Sequence, residues 1–209
     1  MPTSTERFSF RSQNGQELAA RLDTPAGKPI SYALFAHCFT CTKDIFAANR
    51  IANGLTDEGI AVLRFDFTGL GASDGEFANT NFSSNVGDLL AAVDHMREKL
   101  SAPEIIIGHS LGGAAVLSAA NKIAECKAVV TIGAPSDPSH VTHNFESSIK
   151  EIEKDGEAEV LLAGRPFRIQ KQFIEDVKAQ NLKKEIASLK KALLVFHAPL
   201  DKTVGIENA

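Results

Sequence analysis

The feature that most constrains this chain is Gly108-His109-Ser110-Leu111-Gly112, a G-x-S-x-G pattern set between two regular elements. The apolar run 105–107 before it predicts a buried strand, and the small-residue run 111–124 after it predicts a helix. A serine on a sharp strand-to-helix turn needs small residues two positions away on each side, because neighbouring backbone passes close there. The helix N-terminus then directs free N–H groups toward negative charge that develops near Ser110. The pattern predicts a nucleophilic serine, against the alternative of a chance match in a tight loop.

Strand patterns alternate with helical patterns along the chain, which predicts an α/β fold with a mostly parallel sheet. An opening hairpin is expected at 8–11 and 18–22, and further strands at 32–36, 61–65, 104–107, 128–132 and 192–196. The main helices are expected at 45–58, 82–100 and 111–124. Helices on both faces of the sheet would give a three-layer α/β/α sandwich, and 209 residues suit one domain over 1–209.

The stretch 136–190 differs from the rest because it is polar and charged. Within it, helices are expected near 143–154, 170–180 and 183–190, and a short extended pair is expected at 159–169 around Gly164. Since the strand pattern resumes at Ala192, we interpret 136–190 as a helical lid inserted within the domain, not as a second domain.

Composition excludes several partners and locations. The net charge is −4, so neither nucleic acid nor an anionic membrane is expected to bind. No apolar run reaches the ~18–20 residues of a membrane span, and the first residues lack a signal-peptide pattern. Three cysteines are few and odd in number, which argues against a disulfide framework and for a reducing compartment. A cytoplasmic location is expected.

A second chemical segment, His37-Cys38-Phe39-Thr40-Cys41, follows the strand at 32–36. In esterases this loop supplies one backbone donor of the oxyanion hole, so we assign that role to the Phe39 N–H, with the Leu111 N–H as its partner and His37 bracing the loop. Cys38 and Cys41 stand where glycine is more usual, which leaves the loop geometry open. They also form a C-x-x-C pair that a redox dithiol would use, or half a metal site with His37, although packed loop residues are favoured over both.

A third segment, Phe196 to Val204, follows the last apolar strand and contains Asp201. We interpret Asp201 as the acid that orients a catalytic imidazole, in the chain order Ser, Asp, His; an ordinary turn aspartate is the alternative. Asp66 opens a glycine-rich loop that lacks the third glycine of a dinucleotide fingerprint, so it is expected to be a buried hydrogen-bond acceptor near the pocket. His109 is expected to support the elbow, on the side away from the Ser110 hydroxyl.

These segments together resemble the α/β-hydrolase superfamily, near its serine esterases, acylglycerol lipases and serine aminopeptidases. The stretches 37–41, 65–71 and 133–135 are more narrowly similar to the N-terminal hydrolase domain of bacterial fusions whose second domain is of the OsmC (osmotically inducible hydroperoxide-reductase) type. The resemblance implies hydrolysis of a small-molecule ester, amide or related acyl bond through an acyl-enzyme, with no cofactor and no metal.

The resemblance also implies a histidine some tens of residues beyond the acid, after one more strand. Residue 209 lies eight residues after Asp201, so we expect a truncated domain that lacks the last strand, the final helix and the catalytic histidine. A fused C-terminal domain or a partner would supply the missing elements, and these residues alone are expected to be nearly inactive. His140 and His143, expected on the lid surface, are the internal candidates at the pocket rim. Two other classes stay open: a non-catalytic hydrolase-like binding module, and a thiol redox protein that uses Cys38 and Cys41.

Overall fold

A computed structural model describes residues 4–209, and its centre is a seven-stranded sheet in the order β1-β2-β4-β3-β5-β6-β9. The seven strands are β1 (Ser4–Arg11), β2 (Glu17–Thr24), β3 (Ser31–Ala36), β4 (Ile60–Phe65), β5 (Ile105–His109), β6 (Ala128–Ile132) and β9 (Ala192–Phe196). β1, β2 and β4 pair antiparallel, and every pairing from β4 to β9 is parallel. The predicted α/β fold with a mostly parallel sheet is confirmed, including the opening hairpin.

The strands at the centre of the sheet are buried because both of their faces are apolar. β3 reads Ser-Tyr-Ala-Leu-Phe-Ala and β5 begins Ile-Ile-Ile, and most of these side chains are inaccessible to solvent. Strands of this composition are typical of parallel sheets that are covered on both sides. Because the carboxyl ends of parallel strands meet at one edge, the loops after β3, β4, β5, β6 and β9 lie close together there.

Helices cover the two faces of the sheet unequally. One face carries α2 (Phe82–Lys99) and α3 (Leu111–Ala120), whose apolar sides form the larger hydrophobic core. The other carries α1 (Phe46–Asp57), which packs over β3 and β4 with a smaller core. α3 was expected to reach residue 124 but ends at Ala120, because the amides of Lys122 and Ile123 make turn hydrogen bonds instead of helical ones.

Between β6 and β9 the chain forms a mixed α and β segment in place of the mostly helical one expected. It comprises a 3₁₀ stretch (Pro138–Ser148), α4 (Ile149–Asp155), the hairpin β7 (Glu157–Leu162) and β8 (Arg165–Gln170), α5 (Lys171–Ala179) and α6 (Leu182–Ala187). The helix expected from residue 143 starts as a 3₁₀ stretch at Pro138, and non-helical Phe145 (φ −141°, ψ 32°) interrupts it before α4. The extended pair around Gly164 is present. That this segment acts as a lid stays a prediction.

Strand β9 leaves apolar surface uncovered at one end of the sheet. Leu194 is 51% exposed and Phe196 is 53% exposed, on the same side of the sheet as α1. α1 does not reach this end, so an apolar groove of about 450 Å³ runs between its residues Ile51 and Leu55 and strands β5, β6 and β9. Within residues 4–209, nothing pairs with the outer edge of β9.

No helix among residues 4–209 is both long enough and apolar enough to cross a bilayer.

Candidate active site

Ser110 occupies a strained turn between β5 and α3. Its backbone has φ 53° and ψ −124°, a conformation that L residues rarely adopt. A Cβ atom on Gly108 would lie 2.3 Å from the Gly112 carbonyl oxygen, and one on Gly112 would lie 2.4 Å from the His37 carbonyl oxygen. Both glycines are therefore required by close backbone approach, as the G-x-S-x-G pattern predicts. The turn places Ser110 between the end of β5 and the N-terminus of α3, which is the positive end of the helix dipole.

The amides of Phe39 and Leu111 are free in residues 4–209, since neither donates a hydrogen bond to a described atom. Leu111 is the first residue of α3. The Ser110 carbonyl accepts hydrogen bonds from the later amides Gly113 N (2.8 Å) and Ala114 N (3.3 Å), not from Leu111 N. Phe39 and Leu111 line a common cavity of about 10 Å³, room for about one water molecule. The two residues predicted as oxyanion donors are thus neighbours.

His37 is buried and neutral at the start of residues 37–43, which we name the oxyanion loop because they contain Phe39, the predicted oxyanion donor. Its Nε2 accepts from the Phe67 N–H (3.3 Å), so its Nδ1 carries the proton and donates to the Cys38 carbonyl (2.8 Å). Burial lowers its pKa to about 4, which keeps the imidazole neutral near pH 7. Both nitrogens are occupied, so His37 holds the loop and has no free nitrogen to act as a base.

Asp66 anchors the other end of the oxyanion loop. It is fully buried after β4 and accepts hydrogen bonds from the Lys43 backbone N–H (2.6 Å), the Lys43 Nζ (2.5 Å) and the Ala72 N–H (3.0 Å). Arg64, also buried, donates to the Lys43 carbonyl (2.6 Å) and pairs with Asp23 on β2 (2.6 Å). A buried charged network therefore fixes the loop at residue 43, while His37 fixes it at residue 37.

Asp201 lies in the turn after β9, beside the end of β6. Its Oδ1 accepts from the N–H groups of Thr203 (2.8 Å) and Val204 (3.0 Å), and these bonds, Val204 first, hold the pKa of the carboxyl below its ordinary value. Its Oδ2 lies 3.3 Å from the point where a Cβ on Gly133 would stand. Within residues 4–209, Oδ2 of the ionised carboxylate accepts no hydrogen bond. It is therefore available to accept one from an imidazole N–H and to orient that ring.

His109 is the last residue of β5 and directly precedes Ser110. Burial lowers its pKa, and its Nδ1 is buried without a hydrogen-bond partner among the described residues. No described histidine ring is hydrogen-bonded to the Ser110 hydroxyl: the bonds of His140 and His197 go to the carbonyls of Thr203 and Val204. The rings of His140 and His143 lie 4.7 Å apart at the edge of the segment between β6 and β9.

A cavity of about 260 Å³ opens above Ser110. One wall is the oxyanion loop, and the opposite wall is the tip of the β7–β8 hairpin. The lining residues are Cys38, Phe39, Thr40, Cys41, Ser110, Asn144, Leu161, Leu162, Ala163 and Thr203. The sequence predicted this hairpin but not that it packs beside Ser110. The Arg165 guanidinium at the hairpin tip donates a hydrogen bond to the Thr40 carbonyl. The side chains of this wall were missed because no local signal shows where an inserted hairpin docks.

Cys38 and Cys41 form a disulfide, so the favoured interpretation of them as merely packed loop residues is wrong. The Cys41 N–H donates to the Cys38 carbonyl (3.1 Å) and closes a four-residue turn that brings the two Cα atoms to 5.2 Å, within the span of a disulfide. The third cysteine, Cys126, is free and buried. In the described part of the chain, no group of three or more His, Cys, Asp or Glu side chains is arranged to hold a metal ion.

A family model described as serine aminopeptidase, S33, matches residues 33–154, more than half of the chain and the span that contains the oxyanion loop and the elbow. The chain belongs to this family of α/β-hydrolases. It is 47% identical to the esterase domain of a Rhodothermus marinus protein, with a TM-score of 0.77, covering 99% of this chain and 81% of that one. The chain is therefore an α/β-hydrolase enzyme.

Other relatives match less of their own length. The mitochondrial palmitoyl-protein thioesterase ABHD10 of Rattus norvegicus is 36% identical over 97 residues, which are 46% of this chain and 31% of the rat protein. The match thus spans about a third of the curated relative. Est1E of Butyrivibrio proteoclasticus, in a structure with bound ferulic acid, is 24% identical with a TM-score of 0.76. The match covers 96% of this chain and 82% of that one, and it shows the shared fold alone.

Proposed function

We propose that this hydrolase cleaves an ester, thioester or related acyl bond of a small molecule through an acyl-enzyme formed on Ser110. The observation that carries the proposal is the strained backbone of Ser110, which sets the serine in one cavity with the oxyanion loop. The Ser110 Oγ attacks the substrate carbonyl, and the N–H groups of Phe39 and Leu111 donate to the oxygen that becomes negative. Loss of the leaving group leaves an ester on Ser110, which water then hydrolyses.

The cavity supports an acyl substrate because its walls are largely apolar. Phe39 stands on one side and Leu161 and Leu162 on the other, beside the reacting hydroxyl. Apolar walls suit the acyl side of an ester, and relatives named as an esterase and as thioesterases agree with that bond type. The segment 136–190 supplies the hairpin wall, and we propose that it acts as a lid within a single domain that limits access to Ser110.

The proposed mechanism also needs a general base, and Asp201 is placed to orient one. Since no described histidine contacts the Ser110 hydroxyl, we propose that the base is carried by a polypeptide segment or fused domain outside residues 4–209. The uncovered apolar side of β9 supports this proposal, because a further strand and helix would cover the groove there. Loss of a triad histidine costs about 10⁶ in turnover in a serine protease, so the chain of 209 residues is expected to be nearly inactive alone.

The cytoplasmic location stays a prediction, because the relatives named as thioesterases are named as mitochondrial.

The test is covalent labelling of the 209-residue protein by an alkyl fluorophosphonate, with and without added imidazole. Free imidazole can enter the cavity above Ser110 and act as the base, so we expect slow labelling alone and labelling at least about tenfold faster with imidazole, at Ser110 only. Asp201→Asn should reduce the gain from imidazole, and Ser110→Ala should abolish labelling. Exposed Ser101 serves as the internal control for non-specific reaction.

If Ser110 reacts no faster than Ser101 in either condition, the catalytic proposal fails. The alternative of a non-catalytic binding module then stands.

A further inference from the structure

We propose that the Cys38–Cys41 disulfide is a redox modification site that sets the geometry of the oxyanion hole, with the disulfide form competent and the dithiol form impaired. The proposal rests on the proposed function, because it assigns the site a consequence for the Phe39 N–H. The two cysteines flank Phe39 in the chain, and both line the cavity that contains Ser110.

The disulfide lies where the backbone of the oxyanion loop has few hydrogen bonds, although the Phe39 ring packs against Phe77 (5.4 Å between ring centroids) and Phe173 (5.1 Å). His37 and Lys43 hold the two ends of the loop through buried hydrogen bonds. Between them, the backbone is held by the Cys41 N–H to Cys38 carbonyl bond and by Arg165 at the Thr40 carbonyl. The peptide that carries the Phe39 N–H joins Cys38 to Phe39, so its orientation depends on torsions inside the ring that the disulfide closes.

The position of the pair also permits exchange with an external reductant. Cys38 and Cys41 are only partly buried and line an open cavity, whereas Cys126 is buried at 4% exposure. The Arg165 guanidinium donates to the carbonyl of Thr40, which lies between the two cysteines in the chain, so a cation is held at this turn. A reductant can therefore reach this pair without unfolding the core.

The chemistry is thiol–disulfide exchange with a dithiol. One thiolate of the reductant attacks a sulfur of the pair, the S–S bond breaks, and the other cysteine leaves as a thiolate. The second reductant thiol, as its thiolate, then displaces the first cysteine. Two electrons and two protons are transferred to Cys38 and Cys41, and the reductant leaves as its own disulfide.

The experiment compares the oxidised protein with protein reduced by dithiothreitol and then desalted under argon. Iodoacetamide and mass spectrometry should find Cys38 and Cys41 alkylated only after reduction. We expect faster amide hydrogen exchange at residues 38–42 in the reduced protein. We also expect labelling of Ser110 in the presence of imidazole to slow by about tenfold or more, less than the 10²–10³ that loss of an oxyanion donor costs. Reoxidation should restore both readouts.

Variants separate this site from a general effect of thiols. Cys38→Ser with Cys41→Ser should behave as the reduced protein whatever the redox state, and Cys126→Ala should keep the full response to dithiothreitol. If native protein resists reduction at Cys38 and Cys41, or if reduction leaves amide exchange and labelling unchanged, the inference is wrong. If Ser110 is not labelled in any state, the proposed function fails, while amide exchange still decides whether the disulfide controls the loop.

Discussion

Backbone crowding at the elbow makes Gly112 irreplaceable by even the smallest side chain. The methyl group of Gly112→Ala would stand 2.4 Å from the His37 carbonyl oxygen and 2.5 Å from the Ala36 carbonyl oxygen, and neither can move without distorting β3 or the oxyanion loop. We expect the free energy of unfolding in urea to fall by roughly 1–3 kcal/mol, the usual cost of overpacking.

Gly54 provides the matched control for that substitution. It lies within α1, and a Cβ atom there would meet nothing within 4 Å. Gly54→Ala should raise the free energy of unfolding by about 0.5–1 kcal/mol, because alanine favours helix more than glycine does. Equal effects at the two positions would contradict the close approach at the elbow.

Asp88 on α2 gives the folded protein an unfavourable pH dependence. Its carboxyl is buried, which raises its pKa to about 6, although it accepts a hydrogen bond from the Thr68 N–H (2.9 Å). In the unfolded chain its pKa is about 3.9. Between these values the unfolded chain releases the proton and the folded protein keeps it. This group therefore contributes a stability that is largest below about pH 4 and is lost as pH rises through about 6.

Asp88→Asn should remove this loss, since the amide oxygen still accepts from the Thr68 N–H and carries no charge. We expect the variant to be more stable than the parent by about 1–3 kcal/mol at pH 8 and nearly equal to it at pH 4, measured by urea unfolding. A constant difference for Asp88→Asn would mean that its carboxyl titrates normally.

The residues of the site were predictable to the extent that local pattern fixes them. Gly108, Ser110 and Gly112 are set by one strand-to-helix turn, so their sequence spacing was enough. Arg64 and Lys43 were not predictable as buried anchors, because such residues are nearly always exposed unless they are paired. Their partners, Asp23 and Asp66, lie 41 and 23 residues away in the chain, and only the fold brings them together.

At the scale of elements, helix α2 joins the sheet to the segment between β6 and β9 through Asn81. The Asn81 side chain accepts from the Ser84 N–H (2.8 Å), and the Ser84 hydroxyl accepts from the Asn81 N–H (2.9 Å), which forms a capping box. The Asn81 amide also donates to Gln172 on α5 (2.6 Å). The cap thus fixes the start of α2 and one contact of α5.

Asn81→Ala should lower the free energy of unfolding by about 1–2 kcal/mol, because the first turn of α2 loses its cap. Thermal or urea unfolding followed by circular dichroism measures it. Asn79→Ala is the control: this exposed amide accepts only a 3.3 Å hydrogen bond from Gln170, and we expect a change within about 0.5 kcal/mol. A larger loss at residue 79 than at residue 81 would contradict the capping box.

The helices and strands were predicted best where one hydrophobic repeat extended over many residues. The apolar residues of α2 recur every three or four positions, and its predicted range, 82–100, differs from the observed Phe82–Lys99 by one residue. The stretch before α4 was harder, because Phe145 departs from helical geometry and is nevertheless buried in the core. Packing of Phe145 in the core determines its non-helical backbone, which local propensity could not predict.

At the scale of the whole molecule, the open groove beside β9 should govern association of the 209-residue protein. Leu194 and Phe196 present adjoining apolar surface on β9, whose outer edge is unpaired within residues 4–209. Natural sheets usually cover or charge such an edge. We expect concentration-dependent self-association in size-exclusion chromatography with light scattering between about 10 and 200 μM. These concentrations fall within the micromolar-to-millimolar range in which exposed apolar surface and unpaired strand edges cause aggregation. Leu194→Lys with Phe196→Lys should keep the protein monomeric, since two charges on this surface oppose pairing. Leu161→Lys alters a leucine that is 72% exposed at the hairpin tip, away from the groove, and it should leave association unchanged. If the parent protein is monomeric at these concentrations, or if the double variant and Leu161→Lys associate equally, the groove beside β9 does not drive self-association.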